Sequence, residues 1–279
     1  MNFLIKNKIK VFNLLVGIIE KQDKIVLDKT EKQKLTDLIS KLQPIRTDKE
    51  LIRLGADSDG GYLVPNDLKG VEACFSPGVG EFSSFETDCY RHGMKIFMAD
   101  NSVDSPNLDP KEVKFSFLKK FIGSKTDDQF ITLDEWATQS SISDYSDLIL
   151  QMDIEGFEYE SLISISTSLL NRFRIIVVEF HDLDKLWNPE FFRFASIVFE
   201  KLLHNHYCVH LHPNNCYPVF KKDGIEIPPI MEFTFLRKDR VEEFSYSNSF
   251  PHALDVDNEV GNHVVLPRDW IGNSIDSES

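Results

Sequence analysis

The chain lacks the features that mark several common protein classes. Its 279 residues include four cysteines, at Cys74, Cys89, Cys208 and Cys216, and no two of them form a CxxC pair. Two lie inside apolar runs, so we expect reduced, buried thiols in a cytoplasmic protein. No basic cluster is interleaved with aromatic residues, and 31 basic residues face 45 acidic ones, for a formal charge of -14. That balance argues against a nucleic-acid partner.

Long apolar runs are also absent. The longest N-terminal run, VFNLLVGII at 11–19, follows three lysines but is too short to span a bilayer. No small-residue cleavage site follows it before Glu20 and Lys21. We therefore predict no transmembrane segment and an amphipathic helix over residues 8–22. This helix packs on the domain, mediates a homo-oligomer, or makes a peripheral membrane or partner contact; the sequence leaves these alternatives open.

The composition is that of an ordinary globular protein, with 42% hydrophobic and 27% charged residues. The length suits one large α/β domain with appendages. We predict an N-terminal helical extension over 1–48, including a helix at 31–42, and the main domain over 49–240. A C-terminal segment follows over 241–279, of which 249–267 is expected to contribute to an acceptor site.

From Val71 onward, short apolar runs alternate with segments of helical periodicity. The predicted strands are VEACFS, KIFMAD, VKFSF, DLILQMD and RIIVVEF, and the predicted helices are SFETDCYRHG, TLDEWATQ, YESLISISTSLL and PEFFRFASIVFEKLLHN. This alternation is typical of a parallel sheet with helices on both faces. The last two runs, HYCVHLHP and IMEFTFLRK, have no helix between them, which favours an antiparallel hairpin at the end of the sheet.

The first of these strands leads into the loop SPGVGEFSSFE. Gly78 and Gly80 allow a sharp turn and close approach to a ligand, although Ser83 stands where a dinucleotide loop would have its third glycine. Asp100 ends the second strand, where an acid can accept hydrogen bonds from ribose hydroxyls and disfavours a 2′-phosphate. Taken alone, the two glycines are explained equally well by a plain turn. Asp100, at the end of the second strand, favours a nucleotide-type pocket instead.

In their order and spacing, SPGVGEFSSFE, MADNSVD, ITLDEW, LQMDIEGFEYESL and IVVEFH resemble the FkbM-type S-adenosylmethionine-dependent methyltransferases. The similarity covers about residues 50–240, and MDIEGFE resembles the family's D-x-E-G-x-E signature. It implies the class I methyltransferase fold, a Rossmann-like α/β sheet that is mostly parallel and ends in an antiparallel hairpin. The cofactor site that it implies consists of Gly78, Gly80, Glu86, Asp100, Asn101 and Asp153. One departure is that Ser76–Pro77 replaces the family's acid before the first glycine.

Acidic and imidazole side chains stand at three predicted strand tips. Asp153 ends a strand that has no structural need for a carboxylate, and an unpaired buried charge is costly. Glu179 and His181 end the next strand, and His210 and His212 belong to the sixth. We predict Asp153, Glu179 and His181 as the catalytic residues, with His181 as general base because an ordinary imidazole titrates near neutral pH. The alternative is a hydrogen-bonded structural histidine.

A divalent cation is a second possibility at these tips. Asp153, Glu179 and His212, or His181 in place of His212, offer ligands that suit magnesium or manganese, which would lower the pKa of an acceptor hydroxyl. Two carboxylates satisfied by hydrogen bonds and basic side chains would look the same in the sequence. Glu155 and Glu158 begin the next helix, where negative charge favours the N-terminus, so capping and positioning are expected of them.

The family resemblance, together with these features, implies a cytoplasmic O-methyltransferase that uses S-adenosylmethionine and modifies a hydroxyl of a sugar, sugar nucleotide or glycan precursor. Only the family resemblance points to a carbohydrate. Two rivals remain, an NAD-dependent sugar-modifying enzyme and a non-catalytic binding module of the same fold. The loop RLGADSDGGYLV at 53–64 has paired glycines and acids that suit a lid closing over a cationic cofactor. A surface turn is the alternative explanation of the same residues.

Overall fold

The structure, a computed structural model, describes residues 28–80 and 83–272. The predicted helix at 8–22, and with it any oligomer or peripheral contact that it mediates, lies outside these residues. Within the described ranges, no helix has both the length and the apolar character needed to cross a membrane.

Fifteen strands and six α-helices are described. The strands are β1 (Ile45–Thr47), β2 (Leu51–Leu54), β3 (Tyr62–Pro65), β4 (Val71–Pro77), β5 (Lys95–Ala99), β6 (Phe115–Leu118), β7 (Phe121–Ile122), β8 (Phe130–Ile131), β9 (Asp147–Met152), β10 (Phe173–Phe180), β11 (His206–Pro213), β12 (Phe220–Lys222), β13 (Ile225–Ile227), β14 (Met231–Arg237) and β15 (Phe244–Tyr246). The helices are α1 (Lys32–Leu42), α2 (Ser84–Arg91), α3 (Leu133–Gln139), α4 (Glu158–Ser164), α5 (Thr167–Leu170) and α6 (Pro189–Asn205). Short 3₁₀ turns cover Leu183–Trp187, Lys238–Arg240 and Arg268–Trp270.

Seven strands form the central sheet, in the order β11-β14-β10-β9-β4-β5-β6. All neighbouring pairs are parallel except those of β14, which runs antiparallel to β10 and β11. In chain order, β4, β5 and β6 extend to one side of the sheet, and β9 and β10 are then added on the other side of β4. The last two strands, β11 and β14, end the sheet as an antiparallel pair. This is the strand order of class I methyltransferases, and the predicted fold class is confirmed.

Helices cover both faces of the sheet, which explains why its central strands are mainly apolar. All eight residues of β10 are buried. Along β9, Leu148, Leu150 and Met152 belong to one core cluster and Ile149 to the other, on the opposite face. A strand buried on both faces cannot show alternating polarity, so a continuous apolar run is the expected pattern.

Two helices show how local sequence fixes the boundaries. Asn188 caps α6, with its Oδ1 accepting hydrogen bonds from the N–H groups of Glu190 (2.9 Å) and Phe191 (3.2 Å), and Pro189 occupies the first helical position. The single helix predicted over YESLISISTSLL is instead two, α4 and α5. Ser166 breaks it, because its side chain caps α5 and accepts from Leu169 N.

The N-terminal helix and the C-terminal segment pack onto this core. Leu35, Leu38, Ile39 and Leu42 of α1 are buried in the same cluster as the sheet. Trp270 is fully buried there too, and its indole Nε1 donates a 3.0 Å hydrogen bond to Glu226 O. The predicted helix at 31–42 is thus confirmed.

Candidate active site

Two adjoining cavities open at the carboxyl ends of the parallel strands. The first, of about 370 Å³, lies beside the ends of β4, β5 and β9, and the second, of about 350 Å³, lies towards the loop between β2 and β3. Gly78, Gly80 and Asp153 line both. Ligands of open α/β sheets bind at such a position, so the two cavities form the candidate active site.

The two glycines of the loop after β4 act differently. Gly78 has φ +87°, and a Cβ there would lie 1.7 Å from Asp153 O, so only glycine fits between the strand ends. A Cβ on Gly80 would meet no described atom within 4 Å. Gly78 is therefore required by the fold, whereas Gly80 leaves open space that a ligand can occupy.

Asp100 lies in the first cavity and is already partly engaged. Its Oδ2 accepts from Val79 N at 2.9 Å, and its Oδ1 accepts from the N and Oγ of Ser102, both at 2.6 Å. A carboxylate offers about four acceptor positions, so capacity for one ribose hydroxyl remains. Asn101 follows directly, but it is absent from the described lining of either cavity.

Three aromatic rings form a wall of the first cavity that the sequence analysis did not anticipate. The ring centroids of Phe121 and Phe130 are 5.6 Å apart, and those of Phe130 and Phe157 are 5.9 Å apart. Phe121 and Phe130 come from β7 and β8, strands of two residues each. Strands this short leave no periodicity in a sequence, so this wall could not have been found by pattern.

Below the second cavity, Ser76 connects two buried polar side chains. Its hydroxyl is hydrogen-bonded to Glu86 Oε1 and lies 2.7 Å from Gln151 Oε1. Burial raises the pKa of Glu86, while the hydrogen bond from Ser76 opposes that rise. The predicted cofactor residue Glu86 thus brings a carboxyl group to the position where Ser76–Pro77 replaces the expected acid.

The spacing of DIEGFE is explained by its last acid. The side chain of Glu158 is fully buried. Its Oε1 accepts from Ile154 N (3.2 Å) and Gly156 N (3.0 Å), which fixes the turn between β9 and α4. Gly156 has φ +99°, and Glu155 adopts φ +56°, an uncommon conformation for a residue with a side chain. Glu158 therefore has the positioning role expected of it, and Glu155 is left exposed at the tip.

His181 lies against this turn. Its Nδ1 is 3.1 Å from Glu158 Oε1, and its Nε2 is 3.5 Å from Glu155 Oε2 and 4.0 Å from Asp153 Oδ1. Burial opposes its charge, but the hydrogen bond to Glu158 and the nearby carboxylates raise the pKa of His181 to about 9. The ordinary imidazole pKa assumed from the sequence is wrong, because three acids surround the ring.

Four titratable residues form a row across four neighbouring strands. Met152 pairs with Val178, which sets Asp153 beside Glu179; Glu179 pairs with Glu232, and Glu232 pairs with His212. Glu232 is a charged residue inside the buried run IMEFTFLRK, and that anomaly was the signal that the sequence analysis missed. The row brings together Asp153, Glu179 and His212, which the sequence had placed at one sheet edge.

The carboxyl groups of Asp153 and Glu179 in this row are buried close together. Burial raises the pKa of Asp153 to about 6, against the effect of His181, and raises that of Glu179 well above its ordinary range. Glu179 accepts from Asn214 Nδ2 at 2.6 Å, and Asp153 Oδ1 has no hydrogen-bond partner among the described residues. Neighbouring carboxyl groups of this kind share protons rather than ionise together.

The C-terminal segment covers the far side of the row. His210 Nε2 lies 2.8 Å from Asp255 Oδ1, and His212 Nδ1 lies 3.7 Å from Asp255 Oδ2. Asn258 Nδ2 donates to Glu232 Oε1 at 2.9 Å and to Asp59 Oδ1 at 3.2 Å. Asn258 thereby joins the C-terminal segment to the loop at 53–64, two segments that the sequence analysis had proposed separately.

The side chains that come close enough to hold a metal ion differ from the predicted set. Ligand atoms of Asp153, Glu155 and His181 all lie within 4.8 Å of one another. Among the described residues, Glu179 and His212 do not join that group. Carboxylate oxygens and one imidazole nitrogen suit magnesium or manganese, so the trio is chemically able to bind either ion.

Part of the chain matches a known protein family. Residues 83–206 match the family model described as the methyltransferase FkbM domain. The resemblance drawn from the motifs is thereby confirmed, within narrower bounds than the 50–240 expected. The match supports an S-adenosylmethionine-dependent methyltransferase. No curated protein matches the chain.

Among solved structures, the chain is similar to the tRNA (uracil-54, C5)-methyltransferase of Pyrococcus abyssi in complex with S-adenosyl-L-homocysteine. The identity is 14% and the TM-score 0.31, with 67% of this chain and 44% of that chain covered. The chain therefore spans less than half of that enzyme's length.

Proposed function

We propose, from the FkbM methyltransferase domain at residues 83–206, that the protein transfers the methyl group of S-adenosylmethionine to a hydroxyl of a sugar, sugar nucleotide or glycan precursor. The observation that carries the proposal is the pair of adjoining cavities that share Gly78, Gly80 and Asp153. Methyl transfer needs a donor and an acceptor held side by side, and such a pair provides room for both.

The described residues of the first cavity fit the cofactor. The open space at Gly80 admits a ligand next to the backbone, and Asp100 keeps one acceptor position for a ribose hydroxyl. The aromatic wall of Phe121, Phe130 and Phe157 offers an apolar surface for a purine ring. At the junction with the second cavity, Glu86 supplies a carboxyl group suited to an α-ammonium group.

The cofactor would supply a methyl group on a positively charged sulfur. Asp153, which lines both cavities, then holds the acceptor hydroxyl and takes its proton. A pKa of about 6 leaves this carboxylate mostly unprotonated at neutral pH, yet basic enough to accept a proton. Glu179, one strand over, shares the charge, and His181, protonated at neutral pH, orients Asp153.

A divalent cation remains part of the proposal as an alternative. Asp153, Glu155 and His181 would hold it in the arrangement that the structure brings together, and Asp153, Glu179 and His212 in the one predicted from the sequence. Such an ion would supply Lewis-acid activation of the acceptor hydroxyl. The carbohydrate acceptor and the cytoplasmic location likewise stay predictions.

Two measurements test the function. Titration calorimetry with S-adenosylmethionine and with NAD decides between the methyltransferase and the NAD-dependent rival. We expect binding of the former and none of the latter, because the loop lacks a third glycine and Ser83 takes its place. Release of S-adenosylhomocysteine in a screen of sugars and sugar nucleotides then separates an enzyme from a non-catalytic module; no release with any acceptor would leave only the module.

A further inference from the structure

The charged side chains that line the second cavity are all negative among the described residues. Four of these lining residues are acids, and no lining residue is Lys, Arg or His. These acids are Asp59, Glu86, Asp153 and Glu259. Glu86 and Asp153 lie next to the glycine loop, on the cofactor side. Asp59 belongs to the loop between β2 and β3, and Glu259 belongs to the C-terminal segment. Both therefore line the side of the cavity where the acceptor would bind.

Asn258 points independently to a ligand at the acceptor side. It lines the cavity and is only 9% exposed. Its Nδ2 donates to Asp59 and Glu232, which fixes the orientation of the amide, and its Oδ1 has no partner among the described residues. A buried amide oxygen without a donor is costly, so a donor group is expected from the ligand.

A buried carboxyl group lies behind this amide. Glu232 is 5% exposed, its Oε1 accepts from Asn258 Nδ2, and strand pairing sets it beside Glu179. Arg53, in the neighbouring loop, donates to Ala56 O at 2.7 Å and Ser58 O at 2.9 Å. A positive group in the cavity would lower the cost of these negative charges.

We propose that the acceptor carries a primary ammonium group near the methylated hydroxyl, as an amino sugar does, and that Asp59, Asn258 and Glu259 bind that group. This rests on the proposed function, which it narrows to cationic acceptors. An ammonium group has three N–H donors and no acceptor, which matches the two carboxylates and the amide oxygen of these three residues. Acceptors with a carboxylate or phosphate at this place are disfavoured, because the charged side chains of the described lining are all acids and like charges repel.

The test uses the full chain saturated with S-adenosylhomocysteine, so that the cofactor's own ammonium group is already in place. Binding of glucosamine, glucose, N-acetylglucosamine and glucuronate is measured by calorimetry or ligand-observed NMR. We expect glucosamine to bind at least about tenfold more tightly than glucose or N-acetylglucosamine, the scale of a charge-assisted hydrogen bond, and glucuronate not to bind.

Two variants locate the effect. Glu259 contacts Asn215 through its backbone N and O alone, so Glu259→Gln leaves the segment in place. This variant and Asp59→Asn should each reduce the preference for glucosamine about tenfold. The control is Glu243→Gln, an exposed acid just before β15, which should leave the preference unchanged.

Equal binding of glucosamine and glucose, tighter binding of the N-acetylated sugar, or binding of none of the four would overturn the proposal. The proposal would also be overturned if the wild type bound Mg²⁺ or Mn²⁺, if Glu259→Gln no longer bound that ion, and if the site showed no preference for glucosamine. Any of these results leaves the methyltransferase proposal standing as long as S-adenosylhomocysteine binds. Failure of the chain to bind S-adenosylhomocysteine defeats that proposal instead.

Discussion

The buried carboxylate of Glu158 holds His181 by a contact of 3.1 Å between Oε1 and Nδ1, and the same oxygen accepts from the backbone of the turn that ends β9. One acid therefore sets both the shape of the strand tip and the charge of the imidazole. This relationship crosses 23 residues of sequence. It turns a residue that looked like a general base into a cation beside Asp153.

We expect Glu158→Gln to lower the pKa of His181 from about 9 towards its ordinary 6.5, because the main stabilising charge is lost. Histidine NMR titration measures this directly. The raised pKa also stabilises the fold fully below pH 6.5, and this contribution is lost as the pH rises through about 9. Urea denaturation should show that loss in the wild type and less of it in the variant. Glu160→Gln, two residues further along α4, is the matched control; a His181 pKa near 6.5 in the wild type would contradict the assignment.

The two glycines give a paired prediction. Gly80→Val should fold normally and lose S-adenosylmethionine binding, because its side chain enters open space that the ligand needs. Gly78→Val should destabilise the fold itself, since its Cβ would overlap Asp153 O and its φ is +87°. Thermal melting and calorimetry on both variants provide the check. Normal cofactor affinity in Gly80→Val would place the cofactor elsewhere.

Asp100→Asn should weaken S-adenosylmethionine binding roughly tenfold or more, through the loss of a charge-assisted hydrogen bond to a ribose hydroxyl. Since Asp100 also accepts from Val79 N, a melting curve must accompany the calorimetry to detect any loosening of the loop. Asp104→Asn is the control, as Asp104 is exposed and pairs with Lys119 at the surface. An unchanged affinity in a folded Asp100→Asn protein would remove Asp100 from the cofactor site.

The sequence predicted the strands well and the site only in part. β9, β10 and β11 were found to within about a residue of their bounds, because fully buried strands are continuous apolar runs between turn signals. Asp153 and Glu179 were placed together because both follow such runs. Glu232 was missed, since its place in the row depends on the register of the antiparallel strand β14. No single stretch of sequence contains that register.

The same limit applies to electrostatics. The pKa of His181 depends on Glu158, Asp153 and Glu155, which reach it only after the chain folds, so an ordinary value was the natural assumption. The partner of Asn258 across the site, Asp59, is 199 residues away in the chain. Contacts of this range follow from tertiary packing, whereas the motifs report only what neighbours in sequence can do.

The final prediction concerns Asp153, the carboxylate shared by both cavities. Asp153→Asn keeps the shape of the strand tip and removes the proton acceptor, so turnover should fall at least about a hundredfold while cofactor affinity changes little. In the wild type, turnover should rise as the pH increases through about 6, because Asp153 must be unprotonated to take the hydroxyl proton. Asp144→Asn, at an exposed acid remote from the cavities, is the control.

Chelation separates the two versions of this chemistry. If EDTA abolishes turnover and Mg²⁺ or Mn²⁺ restores it, Asp153 acts as a metal ligand; indifference to EDTA assigns the proton to Asp153 alone. If the protein binds a metal ion through Asp153, Glu155 and His181, Glu155→Gln should lower the affinity for that ion. If it binds the ion through Asp153, Glu179 and His212, Glu179→Gln should lower that affinity instead. Near-normal turnover in a folded Asp153→Asn protein contradicts both versions, because neither works without that carboxylate.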